Sequence, residues 1–242
     1  MQGRLTARDW GSTSDIILMQ TCDPFAYFDF LVASSRANRA FCARHNIAYA
    51  GFVGIKRGFH PWHAAFNRIL LLREYVEQGF EGWVFYLDAD AVVADLDWDV
   101  RSYLRAKAEF AAVLAPAGEA VPDWQVNDGV AFFHLRHPSC RALVAAWNEA
   151  FAQVSDSELR AAGAWELTSN DQDMLQRILR DDPGLRANIF LESPSAINSR
   201  EGTLVRQVLR AQEPDSQARL RVIESEAAAA LRRAGVSPAA PG

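Results

Sequence analysis

The stretch WVFYLDADAVV, residues 83–93, runs from large apolar and aromatic residues straight into Asp88 and Asp90, then returns at once to alanine and valine. A buried unpaired charge costs several kcal/mol or more, so two carboxylates at the end of an apolar run need a partner. Residues two apart in a strand point to the same face, so Asp88 and Asp90 are expected to project together from the strand's carboxyl end, with Ala89 turned away. Such a pair can hold a hard divalent cation, Mn²⁺ or Mg²⁺, whose other ligands come from water and phosphate oxygens. The cation would neutralise a diphosphate leaving group. The bland alternative is that Asp88 caps a following helix and Asp90 is solvated.

The elements that must position this pair read as alternating strands and helices. Residues 15–21 (DIILMQT) are a short apolar run suited to a buried strand, and Asp23-Pro24 reads as an N-cap and first helical position, with a helix to about His45. Residues 47–53 read as a second strand. His60-Pro61 opens another helix, carrying Trp62, Phe66, Ile69, Leu70 and Val76 at helical spacing and stopped by Gly79. The third strand, 83–87, follows. Residues 110–114 and 129–135 read as strands, 138–154 as a helix, Asn170 as the cap of a helix to about Arg180, and 187–191 as a late strand. Alternation of this kind implies an α/β fold with a mostly parallel sheet and right-handed crossovers, and ligands of such sheets bind at the strands' carboxyl ends. The expected organisation is an N-terminal extension at 1–14, one domain at 15–200, and peripheral helices with a flexible tail at 201–242.

Composition narrows the function classes. A chain of 242 residues that is half hydrophobic can bury one sizeable core. A formal charge of -5, with no Lys/Arg run, argues against nucleic acid as a partner. Cys22, Cys42 and Cys140 are widely spaced, which reads as reduced thiols and not a disulfide framework. Residues 1–14 lack an apolar signal core, and no run approaches the roughly 20 apolar residues of a membrane span. The expectation is a cytoplasmic protein.

Several ordered blocks resemble nucleotide-sugar glycosyltransferases of the GT-A fold. The likeness is to the α-galactosyl-, α-mannosyl- and xylosyltransferase family of fungal and plant enzymes, with echoes of the glycogenin-like retaining family. It spans roughly residues 15–195 and rests on SSRANRAFCARHNIAYAGF, on WHAAFNRILLLREYV followed by WVFYLDADAVVADLD, on VNDGVAFFHLRHPSCRALVAAWNEAF, and on NDQDML. The resemblance implies a metal-dependent transferase that moves a sugar from a nucleotide diphosphate sugar, UDP-sugar favoured, to a hydroxyl acceptor with retention. The acceptor would be a glycan, a lipid-linked glycan or a small molecule. It implies Asp88 and Asp90 as ligands of metal and donor diphosphate, Asp23 and Tyr27 at the nucleotide base, and Arg68 near the donor. It further implies Asn127, Asp128 and Gly129 beside the sugar, just before a strand, and Asp171 and Gln172 by the anomeric carbon at a helix start. Read on their own, Tyr27 suits the core, Arg68 a solvated flank, Asn127–Gly129 a plain turn, and Asp171 and Gln172 helix capping, shared with Asp173.

The sequence also departs from that pattern. Such families take a third metal ligand from a late histidine, whereas His45, His60, His63, His134 and His137 all precede residue 138. Asn198, another carboxylate or water would have to serve, or nothing does. Two rivals stay open. A haloacid-dehalogenase-like phosphatase would use Asp88 as nucleophile, Asp90 as acid/base and Asp181-Asp182 as its late acidic pair. A catalytically decayed sugar-nucleotide-binding protein would keep the fold and lose the turnover.

Overall fold

In the computed structural model, which describes residues 15–236, every residue of strand β1 (Ile16–Cys22) is buried, the pattern of a strand covered on both faces. The chain continues through α1 (Phe28–Arg44), β2 (Ala48–Val53), a 3₁₀ segment (Pro61–Phe66) and α2 (Asn67–Glu77). Next come β3 (Trp83–Asp88), β4 (Ala91–Val93), α3 (Val100–Arg105), β5 (Ala112–Pro116), β6 (Val126–His134), α4 (Pro138–Ala152) and α5 (Asp156–Ala161). It ends with α6 (Asp171–Asp181), α7 (Pro183–Arg186), β7 (Ile189–Leu191), β8 (Val205–Gln207) and α8 (Ser216–Arg233). The expected extension at 1–14 and the last residues of the tail, 237–242, lie outside the described residues.

The main sheet has the order β2-β1-β3-β6-β5-β7, and β6 alone runs against the other strands. A mostly parallel α/β sheet is therefore what the alternating elements produce. Along β1, Ile16 and Leu18 face the core under α1 and α8, while Ile17 and Met19 face the core under α2, α4 and α6. Each face is filled by large side chains, Phe41, Phe85 and Phe132 on one and Phe66, Phe133 and Trp147 on the other. Each such burial stabilises by about 1.5–3 kcal/mol. Gly79, at φ 75°, ends the helical run of α2, as expected of the left-handed residue after a helix.

Three local expectations need correction. Pro24 does not open α1: the Asp23 carboxylate instead accepts from the backbone N–H groups of Phe25, Ala26 and Tyr27, and the helix starts only after that turn. Residues 127–129 do not precede a strand but lie inside β6, where Asn127 pairs with Ala115 of β5 and Asp128 and Gly129 are buried. Asp88 is the last residue of β3 and Asp90 lies in the turn beyond it, so strand alternation is not what brings the two together.

The segment after residue 200 has two parts. α8 lies outside the sheet against α1 and β4, burying Ile223, Ala227, Ala230 and Leu231. Before it, β8 pairs antiparallel with β4, matching Ala91 to Gln207 and Val93 to Val205. Through that pairing the end of the chain reaches the carboxylate turn.

Candidate active site

The turn after β3 is held from below by a buried polar network. Ser34 and Asn38, on successive turns of α1, reach under it: the Ser34 hydroxyl donates to the Ala89 carbonyl at 2.8 Å, and the Asn38 amide donates to Ala91 at 3.0 Å. Asn38 also accepts from the Val93 N–H at 2.8 Å. Gln20 of β1 donates to the Asp88 carbonyl at 3.2 Å and accepts from both Asn38 and Tyr49. Every backbone polar group so held would otherwise be buried without a partner, at about 1–3 kcal/mol each. The residues of SSRAN thus fix the backbone of LDADAVV.

Above this turn, Arg68 of α2 is the centre of the site. Its guanidinium pairs with Asp88 at 2.7 Å, Asp128 at 2.9 Å and Asp171 at 3.0 Å, and stacks 4.3 Å from the Tyr86 ring centroid. Arg68 is 4% exposed, so its reading as a solvated flank residue is corrected: the apolar stripe of α2 carries it inward because three carboxylates wait there. Burial opposes its charge, but the three aspartates more than offset this and keep it firmly protonated. Asp128 is carried by β6 where its register with β5 shifts between Val113 and Ala115, the kind of irregularity that re-aims a side chain. Burial drives the Asp128 carboxyl well above the usual carboxylate range, with Arg68 opposing and Asp171 and Asp88 reinforcing. Asp171, 1% exposed, is the first residue of α6, and Asn170 caps that helix by accepting from the Asp173 N–H. The capping role therefore falls to Asn170, and Asp171 is free to face Arg68.

Asp88 and Asp90 meet through a residue that sequence reasoning did not single out. The Gln207 side-chain amide donates to Asp88 Oδ2 at 3.0 Å and to Asp90 Oδ1 at 3.1 Å. Tyr86 donates to Asp88 Oδ1 at 2.9 Å. Burial, reinforced by Asp88, pushes the Asp90 carboxyl up to about 7, with Gln207 and Arg219 opposing. Gly129 lies directly behind the group: a Cβ there would fall 2.4 Å from Gln207 Nε2 and 2.5 Å from Asp88 Oδ2. The glycine in this block is required by close approach of these side chains.

These groups open onto a cleft of about 620 Å³, the size of a small-molecule site. Asp88, Asp90, Asn127, Asp128, Asp171 and Gln172 line it, and so do Arg68 and Tyr27. Tyr27 is half-buried and accepts a hydrogen bond from Arg210 at 3.0 Å. Asp23 is not part of the lining: its carboxylate is committed to the turn that carries Tyr27. Gly129 touches Asp88 and Gln207 from behind. Asn198 is buried but does not line the cleft. Of the residues missed by sequence reasoning, Gln207, Arg210 and Arg219 come from the C-terminal segment, and Trp165 and Glu166 come from a short turn at the mouth. Asp181 and Asp182, the acidic pair a phosphatase would need, are exposed and do not line the cleft; Asp181 pairs with Arg180, and Asp182 caps α7.

No protein-family model and no curated protein sequence matches the chain. Solved structures do. A glycosyltransferase involved in the glycosylation of the major capsid of PBCV-1 superposes with a TM-score of 0.60 at 14% identity, covering 86% of this chain and 98% of that one. The fold is that of GT-A glycosyltransferases. The apo-form glycosyltransferase GlyE of Streptococcus pneumoniae TIGR4 gives a TM-score of 0.53 at 12% identity, covering 92% of this chain and 63% of GlyE. At such identities the GT-A likeness establishes architecture, and the chemistry has to be argued from the cleft. Among the described residues no helix is long and apolar enough to cross a membrane.

Whether the residues fit a divalent cation is decided by their donor atoms. Asp88 Oδ2 and Asp90 Oδ1 converge on one amide, and Gln207 Oε1 is buried with no hydrogen-bond partner. Which end of an amide faces a carboxylate depends on what lies between them. With its amide turned over, Gln207 presents an oxygen to the same point, giving two carboxylates and a carbonyl, all hard donors. The group fits. Among the described residues no three His, Cys, Asp or Glu side chains come together to hold a metal ion, so the third protein donor at this point would be Gln207.

Proposed function

We propose that the protein is a metal-dependent glycosyltransferase that takes its sugar from a nucleotide diphosphate sugar, UDP-sugar favoured, and delivers it to a hydroxyl acceptor. The observation that carries this reading is the convergence of Asp88, Asp90, Asp128 and Asp171 on one GT-A cleft around Arg68. Arg68 is shared among three of these carboxylates and does not reach Asp90, which leaves the Asp88–Asp90 turn suited to a cation-bearing ligand.

Asp88, Asp90 and Gln207 would hold Mn²⁺ or Mg²⁺, and the ion when bound supplies positive charge against a departing diphosphate. Arg68 fixes the Asp88 and Asp171 carboxylates, so that the cleft is preorganised and need not rearrange during transfer. Tyr27, aligned by Arg210, offers a face for the base. Asn127 and Asp128 border the sugar, and Gln172, half-buried at the start of α6, faces the anomeric carbon. Retention of configuration accords with this arrangement. Asp88, Asp128 and Asp171 are each paired with Arg68, and Asp90 would be taken up as a metal ligand, so none of the four is left as a ready general base for inversion. A cytoplasmic setting suits the three buried free cysteines, whose thiols burial pushes up to about 12.

The test is a panel of UDP- and GDP-sugars with Mn²⁺, read by release of free nucleotide, with the product anomer assigned by NMR. Turnover that is lost in Asp90→Asn and on chelation supports the reading. Metal-dependent binding without turnover leaves a sugar-nucleotide-binding protein, and binding unchanged in Asp90→Asn removes the metal assignment.

A further inference from the structure

Arg219, the fourth residue of α8, is 3% exposed, and its guanidinium Nε and Nη1 are buried with no hydrogen-bond partner. Burying these two nitrogens without acceptors is costly, because their three N–H donors leave water and gain no hydrogen bond in return. Packing explains only part of its position: it lies 5.2 Å from the Tyr27 ring centroid and 4.6 Å from that of Phe30, contacts that offset some of the desolvation. The side chain also lines the cleft, beside Asp90, Gln207 and Arg210. Arg210, exposed at the rim, is oriented by its bond to the Tyr27 hydroxyl.

We propose that Arg219, assisted by Arg210, is the anion seat of the cleft, binding the diphosphate of a nucleoside diphosphate ligand between Tyr27 and the Asp88–Asp90 turn. The identity of that ligand rests on the transferase reading above; the existence of the seat rests on the two buried guanidinium nitrogens, Nε and Nη1, that have no hydrogen-bond partner. A diphosphate supplies the acceptors that Nε and Nη1 lack, and a planar guanidinium matches phosphate oxygens two at a time. α8 thereby completes the donor site as well as packing on α1.

Binding is measured by calorimetry with inorganic diphosphate in excess Mg²⁺, alongside melting temperatures without diphosphate. The wild type is expected to bind. Arg219→Met is expected to bind at least tenfold more weakly while melting no lower than wild type without ligand, since it removes two buried nitrogens that have no hydrogen-bond partner and keeps an apolar stem against Tyr27 and Phe30. Arg219→Lys should keep part of the affinity, and Arg210→Gln should lose less than Arg219→Met. The seat is refuted if the wild type does not bind diphosphate, if Arg219→Met binds as wild type does, or if Arg219→Met melts lower without ligand, which would mark a structural arginine. The two readings fail separately. Diphosphate binding that depends on Arg219 without turnover of any nucleotide sugar keeps the seat and removes the transferase, whereas turnover with Arg219→Met at wild-type diphosphate affinity does the reverse.

Discussion

Replacing Arg68 by methionine tests the centre of the site. The substitution keeps an unbranched apolar stem for α2 and strips the guanidinium from carboxylates at 2.7, 2.9 and 3.0 Å. Removing one partner of a buried ion pair costs about 3–5 kcal/mol, because the other is left as an uncompensated charge. For a domain of this size about 1 kcal/mol moves the melting temperature by roughly 2–4 °C, so a fall of roughly 6–20 °C is expected at pH 8. The pH dependence gives the sharper signature. Without Arg68 the Asp128 carboxyl, already held above the usual carboxylate range by burial, loses the cation that opposes this and rises further. A carboxylate whose folded pKa is raised binds more protons when folded, so stability is regained as pH falls through that raised pKa. The deficit of Arg68→Met against wild type should therefore shrink between pH 8 and pH 5, in urea unfolding followed by tryptophan fluorescence. A deficit below about 1 kcal/mol, or one that stays constant or widens on acidification, would show that Arg68 does not neutralise these groups in the folded protein.

The other expectations are local. Gly129→Ala places a Cβ 2.4 Å from Gln207 Nε2, so it should destabilise by about 1–3 kcal/mol; adding Gln207→Ala should relieve part of that cost, and strictly additive melting shifts would contradict the packing. Asn38→Ala leaves the Ala91 carbonyl and the Val93 N–H buried without partners, a loss of about 2–4 kcal/mol in urea unfolding with faster amide exchange at Val93. Burial, helped by His60, lowers the His63 pKa to about 4, and its Nδ1 accepts from the Phe59 and His60 N–H groups, so the folded protein keeps this imidazole neutral. The stability it contributes is present above its unfolded pKa near 6.5 and is lost as pH falls from there toward 4; His63→Gln should remove that slope, at most about 1.4 kcal/mol per pH unit, in the same assay.

The fold was readable where one local signal dominated. β1 and β3 are apolar runs of strand length, Gly79 needs positive φ, and Asn170 is a helix cap, so each follows from its own residues. The direction of β6 was not readable, because antiparallel pairing to β3 and β5 is a tertiary fact that a buried apolar strand does not encode. NDG read as a turn for the same reason: its glycine answers to the Gln207 side chain, 78 positions away, and not to its own backbone. Asp88, Asp90, Asp128 and Asp171 were legible as chemistry, since carboxylates beside apolar runs demand a partner. Their partners were harder to find. Arg68 looks like a flank residue on a helical wheel until the three aspartates facing it are known. Gln207, Arg210 and Arg219 sit in a polar stretch with weak periodicity, and only the pairing of β8 with β4 brings Gln207 to the turn.

The charge distribution explains why the end of the chain matters. Asp88 and Asp90 are two carboxylates at the end of a buried strand, and burial, reinforced by Asp88, raises the Asp90 carboxyl to about 7. Arg68 already serves three carboxylates, including Asp88, so it cannot also neutralise an incoming diphosphate. Such a ligand needs positive charge from elsewhere in the cleft, and the cleft offers it at two places: the point where Asp88, Asp90 and Gln207 converge and a cation fits, and the guanidinium of Arg219. Gln207 and Arg219 lie 12 positions apart in the segment that follows the sheet. A chain cut at residue 200 would keep the six-stranded sheet and the DAD turn while losing both. Its acidic cluster would then be left without β8, and that truncation should abolish binding of diphosphate with Mg²⁺ even where the sheet still folds.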